Sequence, residues 1–288
     1  MKQSFCLLLC AVSFAASAQQ AVTEKGKSFR ITSAYSMFPD SLRNASPRIY
    51  DGKTYDAKEH YSDSSAYIFV PDYFNKTKAF QFVFWFHGWG NNIDTALLQY
   101  KLQQQFYAAH LNAIFIFPEG PKNSPDSYAG KFEQSKVFDL FVKDIEQHLQ
   151  QEKIIGSKQK PTQLIYAGHS GAYRVISYLI LHSGYSCKGI LLFDALYAEQ
   201  EKFAVHLQQH PSTKLINIFT DDGGTFQNSK GLITDMNAWK WNYLEKEEDD
   251  YTAADLKNNR IIFLHSKKKH NDVIANQNNF QRFLESMK

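Results

Sequence analysis

The 288-residue chain carries 32 Lys and Arg against 29 Asp and Glu, a net charge of +3 with both signs interspersed. So mild a balance argues against nucleic acid as a partner, and the runs Lys267-Lys268-Lys269 and 245–250 read as solvated loops or helix ends. With 43% hydrophobic residues and three cysteines, the sequence can build a large core and cannot be a disulfide scaffold.

The chain opens on Lys2, an apolar run from Phe5 to Ala15, and the triplet Ala16-Ser17-Ala18. That pattern predicts a secretory signal cleaved after Ala18, and so a periplasmic or extracellular protein. The run is too short to span a bilayer, so no stable membrane insertion is expected. A lipoprotein signal at Cys10 is the alternative, disfavoured by Leu9 where a small residue is usual. Cleavage removes Cys6 and Cys10 and leaves Cys187 with about 270 residues, which suits one domain over 19–288. No intrachain disulfide is then possible, and packing must carry the stability.

Two strand-like stretches, 28–36 and 64–71, come next with no helix between them, and read as antiparallel strands on one sheet edge. The polar and aromatic segment 38–60 between them is not assigned. From residue 79 onward, short apolar runs alternate with amphipathic segments. The runs are 79–86, 112–118, 163–168, 189–194, 214–220 and 260–266, each the length of a buried strand. Helix-like stretches fall at 94–110, 134–151, 171–183 and 198–209, with a final amphipathic helix after residue 270. In 137–145 the apolar Val137, Phe138, Phe141, Val142 and Ile145 recur at helical spacing. Alternation of this kind predicts an α/β fold with a mostly parallel sheet covered on both faces. The stretch 223–259 exceeds a simple crossover and is a possible lid or insertion.

Ser170, in Leu164–Arg174 (LIYAGHSGAYR), follows a buried strand at a tight turn into a helix. A serine so placed is held above the sheet edge, where the next helix aims its N–H groups. Gly168 and Gly171 are read as easing the turn. The stretch FWFHGWGNN puts Gly88 and Gly90 after another strand. Its N–H groups supply a second oxyanion donor beside that of Gly171, from Trp89 or Gly90. His270 lies in a polar loop after the last strand run and is the candidate general base. His265, at the strand end, reads as structural, and His169 as packed under the turn.

Two acids compete to orient the histidine. Asp194 ends an apolar strand, and a carboxylate there costs stability unless something pairs with it. Asp222, beside Asp221, follows the next strand, in a sequence that makes a good turn by itself. Asp194 is the preferred acid and Asp222 the runner-up.

The order Ser170, Asp194 or Asp222, His270, with HGWG and GHSGA, resembles the α/β-hydrolase superfamily from about residue 64 onward. Ala172 departs from the usual closing glycine of that elbow. More narrowly, the stretches 118–133 and 194–197 look like exported bacterial serine hydrolases of unassigned substrate. The resemblance implies an α/β-hydrolase-like domain with acyl-enzyme chemistry. It also implies that Asp126, Ser127, Lys131 and Glu133 sit at the pocket mouth. No cofactor or metal is called for, since HExxH, spaced cysteines and a Gly-rich phosphate loop are missing from the sequence. The expected activity is cleavage of a carboxylic ester, on a small molecule or linked to polysaccharide. An amide or peptide hydrolase on the same triad, or a binding protein on this scaffold, is the alternative. The oligomeric state is left open.

Overall fold

A computed structural model describes residues 24–222 and 224–288, so the segment 1–18 read as a signal lies outside the described residues. The strands, in chain order, are β1 (Gly26–Thr32), β2 (Arg48–Tyr50), β3 (Lys53–Tyr55), β4 (Ser65–Pro71), β5 (Gln81–Phe86) and β6 (Ala113–Pro118). They continue with β7 (Gln163–His169), β8 (Cys187–Phe193), β9 (Lys214–Thr220), β10 (Leu244–Glu247) and β11 (Ile261–Ser266). Nine of them form one sheet in the order β1-β4-β6-β5-β7-β8-β9-β11-β10, and β2 and β3 make a separate hairpin. β1 pairs with β4, and β4 with β6, antiparallel, while all pairs from β6 to β10 are parallel. This is the mostly parallel sheet with antiparallel edge strands that the alternating pattern predicts.

The central strands are apolar on both sides because both faces are covered. Side chains alternate across the sheet. Phe82, Phe84 and Phe86 therefore join one core with Tyr166, Phe138 and Phe141. Val83 and Trp85 join the other, with Ile165, Phe193 and Phe280. The helix Val137–Gln151 buries Phe138, Phe141, Val142, Ile145 and Leu149, each stabilising by about 1.5–3 kcal/mol.

The sequence-predicted helix over 94–110 is two short helices, Ile93–Gln99 and Leu102–Ala108, broken at Lys101, whose φ is 50°. The segment 38–60 contains the β2–β3 hairpin and two short helices. The stretch 223–259 supplies the helix Phe226–Ala238, the edge strand β10 and the helix Ala253–Asn258. Among the described residues no helix is long and apolar enough to cross a membrane.

Candidate active site

In a parallel sheet every strand delivers its next residue to the same edge. Here that edge receives His87 after β5, Glu119 after β6, Ser170 after β7, Asp194 after β8 and, from the loop after β11, His270.

Ser170 itself takes the left-handed conformation, with φ 55°. The turn thus depends on a strained serine rather than on Gly168 or Gly171, neither of which has a positive φ. Gly171 is needed for space. A Cβ there would stand 2.6 Å from Ser127 Oγ and 2.7 Å from Trp89 Cδ1. Gly88 is equally crowded, since a Cβ would lie 2.5 Å from Ser170 Cβ and 3.1 Å from its Oγ.

Asp194 is fully buried. Its Oδ2 lies 2.6 Å from His270 Nδ1 and accepts from Thr220 Oγ1 at 2.7 Å. Its Oδ1 accepts from the Thr220 N–H at 3.0 Å and from the Thr225 hydroxyl. Burial acts to raise its pKa, but the bonds from His270, Thr225 and Thr220 outweigh it and hold the carboxyl below its ordinary value. Thr220 and Thr225 flank the stretch that carries Asp221 and Asp222. Asp222 sits exposed on that stretch and makes no bond to His270 among the described residues.

His270 presents its ring 4.4 Å from that of His169, the residue before Ser170. The His169 Nε2 donates to the His270 carbonyl at 3.1 Å and so tethers that loop to the elbow. Burial, then the His270 ring, push His169 down to about 3, so it is neutral near pH 7 and takes no part as a base. With Nδ1 turned to Asp194, the nitrogen of His270 left for proton transfer is Nε2. No hydrogen bond joins Nε2 to Ser170 Oγ among the described residues, and such bonds often tighten only with substrate bound. His265 lies elsewhere, with Glu247 and Asp221 each 3.0 Å from one ring nitrogen.

The loop after β5 rests on a buried pair that the sequence did not reveal. His87 Nε2 lies 2.9 Å from Glu119 Oε1, both side chains 1% exposed. His87 Nδ1 is 2.7 Å from the Gly88 carbonyl oxygen, which can only accept, so Nδ1 carries a proton. A trans peptide points its N–H opposite to its C=O. The Trp89 N–H therefore faces away from His87, and it has no partner among the described residues. The Gly171 N–H, in the first turn of its helix, is also unpartnered there. Gly90 does not meet the expectation, because its N–H donates to the Ser124 carbonyl at 2.9 Å.

A cavity of about 250 Å³ opens over Ser170, lined by Trp89, Ser127, Gly171, Tyr173 and Tyr197. Burial and the Asp194 charge push the Tyr197 phenol up to about 12, with the Ser170 hydroxyl acting in the opposite sense. Of the loop residues expected at the mouth, Ser127 lines the cavity. Asp126 pairs with Arg43 at 2.7 Å, Glu133 with Arg174 at 2.6 Å, and Lys131 Nζ donates to the Ala34 carbonyl at 2.8 Å. A larger open groove of about 730 Å³ lies at the opposite ends of the strands, beside Trp241 and Arg260, away from these groups. Among the described residues, the one group with metal-ligand geometry is Asp56, Glu59 and His60. Its Asp56 caps a helix through the Glu59 N–H, and none of the three lines the cavity.

No family model matches the chain, and no curated protein matches it in sequence. Solved structures do resemble it. A serine-to-alanine variant of a feruloyl esterase module from Clostridium thermocellum, complexed with sinapinate, is 12% identical with a TM-score of 0.57, over 91% of this chain and 88% of that one. The fluorophosphonate-binding serine hydrolase F of Staphylococcus aureus is 11% identical with a TM-score of 0.54, over 91% and 98%. A ferulic acid esterase is 11% identical with a TM-score of 0.54, over 92% and 100%. The chain has the α/β-hydrolase fold.

Proposed function

We propose that the protein is an exported serine hydrolase that cleaves carboxylic esters through an acyl-enzyme. Ser170 is the nucleophile, His270 the general base and Asp194 the acid that orients it. The observation that carries this reading is the 2.6 Å contact of His270 Nδ1 with a fully buried Asp194, beside a serine held at φ 55°. A buried carboxylate that receives donors from Thr220 and Thr225 as well as from the imidazole stays ionised. It fixes the tautomer in which Nε2 is free to take a proton.

Ser170 Oγ attacks the ester carbonyl as Nε2 removes its proton. The oxyanion that forms accepts from the Gly171 and Trp89 N–H groups. Each such donor stabilises the transition state by about 3 kcal/mol. The imidazolium then returns its proton to the leaving alcohol, and water, activated by the same nitrogen, releases the acid. The names of the structural neighbours, feruloyl and ferulic acid esterases among them, favour an ester over an amide. Export rests on the sequence of residues 1–18.

Hydrolysis of p-nitrophenyl acetate tests the reading. The wild type is expected to show turnover that Ser170→Ala and His270→Ala each lower about 10³-fold or more. Turnover unchanged in Ser170→Ala would overturn it.

A further inference from the structure

Beside Ser170, the cavity walled by Trp89, Tyr173 and Tyr197 is lined by a second serine, Ser127. Its Oγ accepts from Trp89 Nε1 at 2.7 Å. A serine hydroxyl also has one proton to donate, and no acceptor for it is found among the described residues. The position is built to be rigid. Asp126, immediately before it, accepts through Oδ2 from Arg43 Nε at 2.8 Å and from the Tyr61 hydroxyl at 3.0 Å. Its Oδ1 accepts from the Tyr128 N–H at 3.0 Å, which closes the turn around Ser127. Asp126 is 7% exposed, so this clamp sits in the protein and not in solvent. Gly171, lacking a side chain, lets Ser127 Oγ come within 2.6 Å of where its Cβ would be.

The cavity also has a side. Ser170 and Gly171 line it, but His270 does not. The leaving alcohol must depart past His270, which returns its proton. The part of an ester that enters the cavity is therefore the acyl part.

We infer that this cavity is an acyl subsite for a group with an apolar, ring-sized body bearing one hydrogen-bond acceptor, and that the Ser127 hydroxyl donates to that acceptor. This inference rests on the serine-hydrolase reading and names the substrate class within it. The body packs against aromatic faces, as rings do at about 4.5–7 Å between centroids. Ser127 selects among acyl groups by hydrogen bonding, and an acyl group lacking the acceptor forgoes that bond.

The test compares p-nitrophenyl 3-phenylpropanoate with its three ring-monohydroxylated isomers, using wild type, Ser127→Ala and Ser127→Thr, each shown folded by circular dichroism. In the wild type, at least one hydroxylated isomer is expected to exceed the plain ester about 3- to 10-fold in kcat/KM, the value of one neutral hydrogen bond. Ser127→Ala is expected to reduce that ratio to about one, and Ser127→Thr, which keeps a hydroxyl, to retain part of it. A wild type that turns over these esters with no preferred isomer overturns this inference alone. So does a preference that persists in Ser127→Ala. A wild type that neither hydrolyses any of them nor reacts with a fluorophosphonate overturns the hydrolase reading, and this one with it.

Discussion

His270 Nδ1 and Asp194 Oδ2 lie 2.6 Å apart across 76 residues of sequence. The contact joins the loop after β11 to the end of β8, and the proposed mechanism depends on it. Replacing Asp194 with Asn puts an amide where Thr220, Thr225 and His270 all donate. One donor must then face another, and the imidazole turns to the wrong tautomer. We expect kcat for Asp194→Asn to fall about 10³- to 10⁴-fold, against a change of less than threefold for Asp222→Asn. Steady-state kinetics on one ester decides it, and the reverse ranking would reassign the acid.

The His87–Glu119 pair is buried without solvent on either side chain. Removing Glu119 leaves His87 its bonds to the Gly88 carbonyl and the Gly120 N–H but takes the acceptor from the buried Ile93 N–H. Glu119→Ala should lose about 1–3 kcal/mol of stability. Urea unfolding measures this, and a loss below 1 kcal/mol would mean the pair matters little. Because His87 also sets the Gly88–Trp89 peptide, His87→Ala should lower kcat more than it raises KM.

Gly88 faces Ser170 too closely for any side chain. Gly88→Ala places a methyl 2.5 Å from Ser170 Cβ and 2.9 Å from the His169 carbonyl. The backbone must shift, with a loss of about 1–3 kcal/mol and a displaced nucleophile. Thermal unfolding and fluorophosphonate reactivity should both fall, whereas a wild-type value for both would show that the loop yields freely.

His169 makes acid stability a readout of the elbow. Its folded pKa is pushed down to about 3 by burial, then by His270, while the unfolded value is near 6.5. Between those values the unfolded chain binds one more proton than the folded chain. Its contribution is therefore complete above pH 6.5 and is lost as pH falls, at about 1.4 kcal/mol per pH unit. His206, lowered to about 4 mainly by burial, acts in the same direction. His265, where burial acts downward but the bonds to Glu247 and Asp221 outweigh it, is raised and so works in the opposite sense, its contribution present below pH 6.5 and lost as pH rises. Stability should drop from pH 6.5 to pH 4, and a flat profile would contradict the burial of His169.

Much of the fold is readable in the sequence. The six apolar runs from residue 79 onward are strands because each is buried on both faces, and continuous burial leaves a continuous apolar signature. That Asp194 meets His270 was readable from Asp194 for a related reason. It is a carboxylate at the end of an apolar run, which costs stability unless something pairs with it. Glu119 was missed because an acid after a strand and before Gly120 and Pro121 looks like ordinary turn sequence. Its partner His87 is far away in the chain. The Gly90 expectation failed because sequence gives no sign that its N–H is taken by Ser124, 34 residues on. The segment 38–60 resisted assignment since its hairpin is short and exposed, without the alternation that burial imposes. The break at Lys101 overrides a helical pattern that is otherwise continuous.

In the proposed mechanism one hydroxyl does the covalent chemistry. Reaction with a fluorophosphonate, followed by peptide mass mapping, tests it most directly. A single adduct on the peptide containing Ser170 is expected, lost in Ser170→Ala and strongly slowed in His270→Ala. An adduct on another residue, or equal labelling of Ser170→Ala, would contradict it.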